Sequence, residues 1–228
     1  MQEIPVFIIN RNLLTWPRMM IEWMRQIPYL RPIMFDNAST YPPLLEWYDT
    51  NPCDIIRVPF NSGHIGIFHS DAITNVVKDD YYVIADPDFD MTHIPLDVID
   101  KLKYGLEKYP EYGKCGVAIH TDDLPDAFPG KHDIIGWEQK YWEDPLGEDF
   151  YRAHVDTIFA LYDKRRLRGH TYEAIRLAGP YTARHIPWYI TKYNMSDEFS
   201  YYCEHNEGPA NICGYCSNAL KEYREKHG

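Results

Sequence analysis

The chain has 228 residues, 45% of them hydrophobic and 15% aromatic, and its formal net charge is −11. This length and apolar content predict a globular protein with a sizeable core, most economically one domain, and exclude a disordered chain. The negative charge argues against nucleic-acid binding, which normally needs a basic face. Since no apolar stretch reaches 18 residues and no signal-peptide pattern opens the chain, we expect no transmembrane segment and a cytoplasmic protein.

The first part of the chain alternates short apolar runs with helical patterns. We predict strands at residues 6–9, 32–35, 54–58 and 81–85. A helix with Thr15 as its N-cap follows the first strand, and further helices are predicted at residues 42–48 and 67–77. Strand–helix alternation of this kind indicates a mostly parallel sheet with right-handed crossovers.

The second part of the chain is less regular. We predict helices at 96–109 and 137–142, strands at 115–119 and 155–162, and an aromatic loop containing a histidine at 179–189. Polar residues recur where the predicted strands end, on the side of an open sheet where ligands bind.

The fourth predicted strand runs directly into Asp86-Pro87-Asp88. Proline fixes φ and lacks an N–H, so the strand should end here with both carboxylates at its carboxyl end. Two carboxylates this close repel one another unless a cation neutralises them, and oxygen ligands suit Mg²⁺ or Mn²⁺. On these residues alone, a metal site and a solvated acidic turn are both open interpretations.

Taken in order, these features resemble the nucleotide-sugar-dependent glycosyltransferases of the GT-A fold, nearest the family-two-like branch. The resemblance is carried by the strand exits, the Asp-x-Asp triplet and a C-terminal motif: Val6–Asn12, Asp36–Thr40, Asn61–His64, Asp86–Asp88 and Arg184–Tyr189. It implies an α/β GT-A domain, a mostly parallel sheet flanked by helices, over residues 1–202. A C-terminal tail or helix would follow at residues 203–228.

The resemblance also implies how a nucleoside-diphosphate sugar would bind, with uridine as the base common in this class. The residues that would contact the nucleotide are Asn10, Arg11, Asp36, Asn37, Asn61, Gly63, His64 and Asp86. Gly63 would let the chain pass close to the nucleotide because it has no Cβ. Asp88 would be the principal ligand of Mn²⁺ or Mg²⁺, joined by Asp86 and His185, and the metal would stabilise the leaving diphosphate.

The acceptor would be a glycan or another molecule with a free hydroxyl, whose proton an inverting enzyme must remove with a carboxylate. The usual family-two base motif, an acidic pair opening a helix, is not clearly present. The candidate bases are Asp156, Asp122, Asp123 and Glu138. Asp156 and Asp122 are favoured because each follows or lies in a predicted strand. Trp137 is equally consistent with stacking on a sugar ring and with packing in the core.

Three other functions compete with this one. Residues 88–92 fit the Asp-x-Asp-x-Thr pattern of haloacid-dehalogenase-type phosphohydrolases, which would use Asp88 and Asp90, but three strand–helix units precede them where that class has none. A nucleotidyltransferase would need a glycine-rich basic loop after the first strand. A non-catalytic carbohydrate-binding module would keep the aromatic loops and bind no nucleotide.

The cysteines are five, an odd number at irregular spacing, which indicates free thiols in a reducing compartment. Cys203-Glu204-His205 and the Cys-x-x-Cys at residues 213–216 leave a zinc site as the alternative. The tight Cys-x-His spacing favours free thiols.

Overall fold

A computed structural model describes residues 3–167, 169–205 and 214–227. The strands in these ranges are β1 (Ile4–Asn10), β2 (Leu30–Asn37), β3 (Asp54–Val58), β4 (Tyr81–Ala85), β5 (Phe89–Asp90), β6 (Lys114–Ile119), β7 (Pro145–Gly147), β8 (Phe150–Arg152), β9 (Ala160–Asp163) and β10 (Ile175–His185). The α-helices are α1 (Thr15–Met24), α2 (Pro42–Tyr48), α3 (Ala72–Val76), α4 (Val98–Lys108), α5 (Lys131–Gln139), α6 (Asp197–Glu204) and α7 (Ser217–His227). Short 3-10 helices lie at Gly66–His69, Lys140–Trp142 and Ile186–Tyr189.

The strands form one sheet in the order β3-β2-β1-β4-β9-β6-β10-β8-β7, with β5 paired to β10 at one end. The first four strands are parallel, and β6 and β10 are parallel to each other. Strand β9 runs antiparallel between β4 and β6, and the β7–β8 hairpin closes the far edge. The predicted α/β architecture, a mostly parallel central sheet flanked by helices, is confirmed.

The core lies on both faces of this sheet. Every residue of β1 is buried, and its side chains alternate: Val6 and Ile8 pack into one hydrophobic cluster, and Phe7 and Ile9 into another. The first cluster also takes the apolar faces of α1 and α4. The methionines and tryptophan spaced along α1 are therefore core residues, as their helical periodicity predicts.

Four predicted elements differ in the structure. The strand expected at residues 155–162 is confined to β9 (Ala160–Asp163), and the helix expected at residues 137–142 covers the end of α5 and the 3-10 helix Lys140–Trp142. The helix expected at residues 67–77 is broken between the 3-10 turn and α3, because the Ser70 hydroxyl donates to the Ile67 carbonyl at 2.8 Å and accepts from the Ala72 N–H. The prediction of a loop at residues 179–189 is wrong, because most of this segment belongs to strand β10. Gly179, with φ 61°, lies where the β6–β10 register shifts, so a β-bulge takes up the Gly-Pro pair that indicates a loop.

The prediction that Thr15 is the N-cap of α1 is also wrong. Thr15 is the first helical residue, and Leu14 precedes it without a side-chain cap. The carboxylate of Glu198, on α6, accepts hydrogen bonds from the Leu14 and Thr15 N–H groups at 2.7 and 2.9 Å and from the Thr15 hydroxyl at 2.6 Å. The cap therefore comes from a residue remote in sequence, which no local pattern indicates.

The C-terminal part of the chain packs on the sheet domain through a third hydrophobic cluster, which contains Ile190, Phe199 and Leu220. The division expected between residues 202 and 203 falls inside α6. Cys203 is disulfide-bonded, so the expectation of free thiols is wrong for this residue, whereas Cys53, Cys115 and Cys216 are free. Cys213 lies outside the described residues. No helix in the described ranges is long and apolar enough to cross a membrane.

Candidate active site

Two cavities meet at the carboxyl ends of the parallel strands, and Asp86 and His185 line both of them. The strand-exit cavity, of about 430 Å³, brings together many of the residues predicted for the donor and the metal: Asn10, Arg11, Asn37, Asn61, Gly63, His64, Asp86, Asp88 and His185. The aromatic cavity, of about 440 Å³, is lined by two of the candidate bases and by five Phe, Tyr and Trp side chains: Glu138, Asp156, Phe89, Trp137, Tyr141, Tyr172 and Trp188.

Hydrogen bonds between the strand exits shape the first cavity. The Asn37 side chain accepts from the Ser62 N–H at 3.2 Å and hydroxyl at 2.7 Å, and it donates to the Gly63 carbonyl at 3.3 Å. Arg11 donates to the Asn37 carbonyl at 2.7 Å. Gly63 has φ 73°, a left-handed conformation that glycine adopts without strain. The loops after β1, β2 and β3 are thus held together as one wall.

Asp36 takes a different place from the one implied for it. Its side chain is fully buried and accepts hydrogen bonds from the Tyr48 hydroxyl at 3.0 Å, the Ser39 N–H at 3.1 Å and the Arg57 guanidinium at 3.3 Å. With these partners, the Asp36 carboxylate stabilises the loop after β2 and does not face the strand-exit cavity.

The pairing of β5 with β10 places His185 next to Asp88. Because His185 lies opposite Phe89 in this antiparallel pair, its Nε2 comes within 3.2 Å of the Asp88 carboxylate. The imidazole is packed between the Phe89 and Trp188 rings, with centroid distances of 4.8 and 4.7 Å. Asp88 of the Asp-x-Asp triplet and His185 are therefore neighbours, although they are 97 positions apart in the sequence.

The electrostatics of this junction favour a cation. Burial raises the pKa of Asp86 well above its ordinary value, and the negative charges of Asp88 and Asp156 raise it further, against the lowering effects of Thr157 and Lys114. Two carboxylates and an imidazole have the donor chemistry that Mn²⁺ or Mg²⁺ accepts. As the side chains stand, no group of three or more His, Cys, Asp or Glu among the described residues could hold a metal ion. The metal site, like the zinc alternative, stays a prediction.

Asp156 lies in the aromatic cavity between two histidines. One oxygen of its carboxylate is 3.8 Å from His64 Nε2 and 3.9 Å from His170 Nε2, and half of the side chain (51%) is exposed. Burial lowers the pKa of His170, and the charge of Lys114 lowers it further. Asp156 is therefore a solvent-accessible carboxylate beside the junction of the two cavities.

Lys114 supports the segment that carries Asp156. Its side chain is fully buried, and its ammonium donates to the carbonyls of Val155 at 2.6 Å and Thr171 at 3.0 Å. Burial lowers the pKa of Lys114 to about 7, although the charges of Asp156 and Asp86 oppose this. No local pattern in the sequence marks this residue, because lysine is rarely buried and the two partners of Lys114 are 41 and 57 positions away.

Glu138 is held in a buried ion pair. Its carboxylate accepts from the Arg176 guanidinium at 2.7 Å, and the two side chains are only 5% and 4% exposed. Arg176 also donates to the His154 carbonyl at 2.7 Å and stacks on the Tyr141 ring at 4.1 Å. Glu138 lines the aromatic cavity, but its charge is already paired. Arg176, a charged residue inside the apolar β10, was also missed.

The other two candidate bases lie elsewhere. Asp123 binds Arg184 at 2.6 Å and the Tyr189 hydroxyl at 2.6 Å, and these contacts lower the pKa of its carboxyl although burial opposes them. Asp122 lines a separate cavity of about 510 Å³ together with Gln139 and Trp142. The structure therefore brings only Asp156 and Glu138 to the junction with the predicted donor residues.

The phosphohydrolase alternative gains no support from the geometry. Asp90 is in β5, and its carboxylate accepts from the Thr92 N–H at 2.9 Å and hydroxyl at 2.6 Å, closing its own turn. Asp88 instead faces His185. The two aspartates therefore point to different partners and do not form a joint site.

No protein-family model matches the sequence, and no curated protein matches it. Among solved structures, HddC from Yersinia pseudotuberculosis matches with a TM-score of 0.52 at 10% identity, over 90% of this chain and 99% of that one. The mannosyltransferase PcManGT from Pyrobaculum calidifontis, in complex with GDP-Man and Mn²⁺, gives 0.49 at 14% identity, over 96% and 68%. TarS from S. aureus gives 0.46 at 9% identity, over 89% of this chain and 63% of that one.

At these identities the comparison bears on the fold alone. The likeness to HddC and the strand order agree with the resemblance seen in the sequence. The chain has a GT-A-like fold in a single domain. It spans less than two thirds of the TarS structure it matches.

Proposed function

We propose that the protein is a metal-dependent glycosyltransferase that moves a sugar from a nucleoside-diphosphate sugar, with UDP as the expected carrier, to the hydroxyl of an acceptor such as a glycan. The observation that carries this proposal is the meeting of two cavities at Asp86 and His185. One is lined by the polar exits of parallel strands, and the other by aromatic rings and the accessible carboxylate of Asp156.

On the donor side, Asn10 and Asn61 line the cavity where the nucleoside would bind. Asn37 holds the loop of Asn61 in place through Ser62 and Gly63, and Gly63 leaves room for the nucleoside. Asp86, Asp88 and His185 would hold the divalent cation at the junction. When bound there, the cation supplies positive charge that offsets the charge developing on the leaving diphosphate.

On the acceptor side, Asp156 removes the proton of the attacking hydroxyl. The acceptor oxygen forms a bond to the anomeric carbon, the bond from that carbon to the diphosphate breaks, and the diphosphate leaves with the electron pair. The Thr157 N–H donates to the Asp156 carboxylate at 2.9 Å, and His64 and His170 lie 3.8 and 3.9 Å from the same oxygen. Trp137 and Tyr172, 59% and 46% exposed, present ring surface on which the C–H face of a sugar can pack.

The test compares the two neighbouring aspartates by titration calorimetry with UDP and Mn²⁺. We expect Asp88→Asn to abolish metal-dependent binding, because it removes the principal metal ligand. Asp90→Asn is the matched control, since Asp90 is bonded within its own turn, and it should bind like the wild type.

Unchanged affinity in Asp88→Asn contradicts the proposal. Metal-dependent release of phosphate from a generic phosphate ester, lost in both variants, would instead favour the phosphohydrolase. If the wild type binds no nucleotide with Mn²⁺ but binds glycans, the carbohydrate-binding module is the better interpretation.

A further inference from the structure

Tyr202, on helix α6, lines the strand-exit cavity beside Asp86, Asp88 and Arg11. Its ring stacks on the fully buried Phe199, with a centroid distance of 6.1 Å and an interplanar angle of 26°. Its hydroxyl forms no hydrogen bond to another group in the described part of the chain. Tyr202 is only partly buried, and a hydroxyl at the cavity wall without a protein partner can exchange water for a hydrogen bond to a ligand.

The helix that carries Tyr202 is fixed at both ends. At its start, the Ser196 hydroxyl accepts from the Phe199 N–H at 3.2 Å, and Glu198 binds the first residues of α1. At its end, Arg11 donates to the His205 carbonyl at 3.1 Å. The position of Tyr202 at the cavity is therefore set before any ligand binds, which reduces the entropy lost on binding.

Tyr202 shares the lining of the strand-exit cavity with Asp86 and Asp88, the two carboxylates proposed to hold the metal. The diphosphate of a donor would lie beside that metal. A phenol is protonated at neutral pH, so its hydroxyl is a hydrogen-bond donor there.

We propose that Tyr202 is a donor-binding residue whose hydroxyl donates a hydrogen bond to the diphosphate of the nucleotide sugar. The inference rests on the proposed function and extends it, because it makes helix α6 part of the donor site. The C-terminal segment then completes the cavity and is more than an appendage to the sheet.

The experiment first titrates the wild type with UDP, GDP, CDP and ADP in the presence of Mn²⁺ and selects the tightest. Tyr202→Phe should weaken that diphosphate about tenfold, since a hydrogen bond to a charged group is lost. The affinity for the corresponding nucleoside, measured by NMR titration, should stay within roughly twofold, because no phosphate is present to lose a bond.

Tyr201→Phe is the matched control on the same helix. The Tyr201 hydroxyl donates to the Thr40 hydroxyl at 3.0 Å, and its ring stacks on His205 at 3.8 Å, outside the cavity lining. This variant should bind the diphosphate like the wild type. Thermal unfolding of both ligand-free variants checks that the fold is retained.

The inference is overturned if Tyr202→Phe binds the diphosphate as tightly as the wild type, or if nucleoside and diphosphate lose affinity equally, which would place the ring against the base. A wild type that binds none of the four diphosphates is a different result. It refutes the proposed function itself, and the inference falls with it.

Discussion

Asp156 and Glu138 are carboxylates that line the same cavity in different surroundings. Glu138 is buried and paired with Arg176, so protonating it would leave a buried guanidinium without its partner. Asp156 is half exposed and has two histidines near one oxygen, with no cation bound to it at short distance among the described residues. Of the two, only Asp156 can accept a proton without breaking a buried ion pair.

Asp156→Asn therefore should lower turnover by about 10²–10⁴-fold, because the asparagine amide cannot take the acceptor proton. Donor affinity should not change, since Asp156 is not among the residues that line the strand-exit cavity. Steady-state kinetics and calorimetry with the same donor measure the two effects. If turnover survives in Asp156→Asn and is lost in Asp122→Asn, the base is Asp122 and the assignment is wrong.

At the scale of elements, the turn after β9 stabilises the end of this strand. Strand β9 is antiparallel to both of its neighbours in a sheet that is otherwise mostly parallel. Asp163 is the last residue of β9, and its carboxylate is fully buried. It accepts hydrogen bonds from the Arg165 N–H at 3.0 Å and from the Arg165 guanidinium at 2.7 and 2.9 Å, and it lies 3.2 Å from the Arg166 guanidinium. Burial alone would raise the pKa of Asp163, but the hydrogen bonds and charges of the two arginines lower it below its ordinary value.

We expect Asp163→Asn to lower the free energy of unfolding by about 2–4 kcal/mol at pH 7, because a buried charge network loses its anion. A lowered carboxyl pKa stabilises the fold above the unfolded value of about 3.9, and this stabilisation is lost as the pH falls through the folded value. The difference between variant and wild type should thus shrink toward pH 3. Urea unfolding at both pH values measures it.

Asp144→Asn is the control for this prediction. Asp144 pairs with Arg152 at 3.4 Å on the surface, and both side chains are more than half exposed, so its loss should cost about 1 kcal/mol or less. An Asp163→Asn defect of the same size at pH 7 and pH 3 would mean that the charge of Asp163 contributes little.

At the scale of the whole molecule, the strand-exit cavity is built from segments far apart in the chain. Its lining comes from the exits of β1, β2, β3 and β4, from the end of β10 and from α6. A ligand that bridges these segments binds the folded chain and not the unfolded one. Its binding free energy therefore adds to the stability of the entire domain.

A nucleoside diphosphate with Mn²⁺ at about 100 times its dissociation constant should add about 2.7 kcal/mol of stability. For a domain of this size that corresponds to a rise in Tm of about 5–10 °C. Thermal unfolding with the nucleotide, with and without EDTA, measures the effect. A rise that EDTA leaves intact would show that the nucleotide binds without a metal.

Several elements were predictable because their signal is local. The strands β1 to β4 are short apolar runs between polar residues, and burial on both faces of a parallel sheet produces that pattern. The same reasoning failed at β10, where the Gly-Pro pair indicates a loop and the structure accommodates it in a bulge. It failed at the start of α1, where the capping carboxylate of Glu198 comes from another helix.

The sequence by itself determined the α/β class, the parallel strands and the polar exits that gather at one edge, because the carboxyl ends of parallel strands must meet there. Only the tertiary structure decided that His185 faces Asp88, that Asp156 and not Asp122 stands beside the donor residues, and that Tyr202 enters the cavity. Periodicity assigns a residue to a face of its own element. Which remote residue it meets depends on strand register and helix packing, which no local pattern contains.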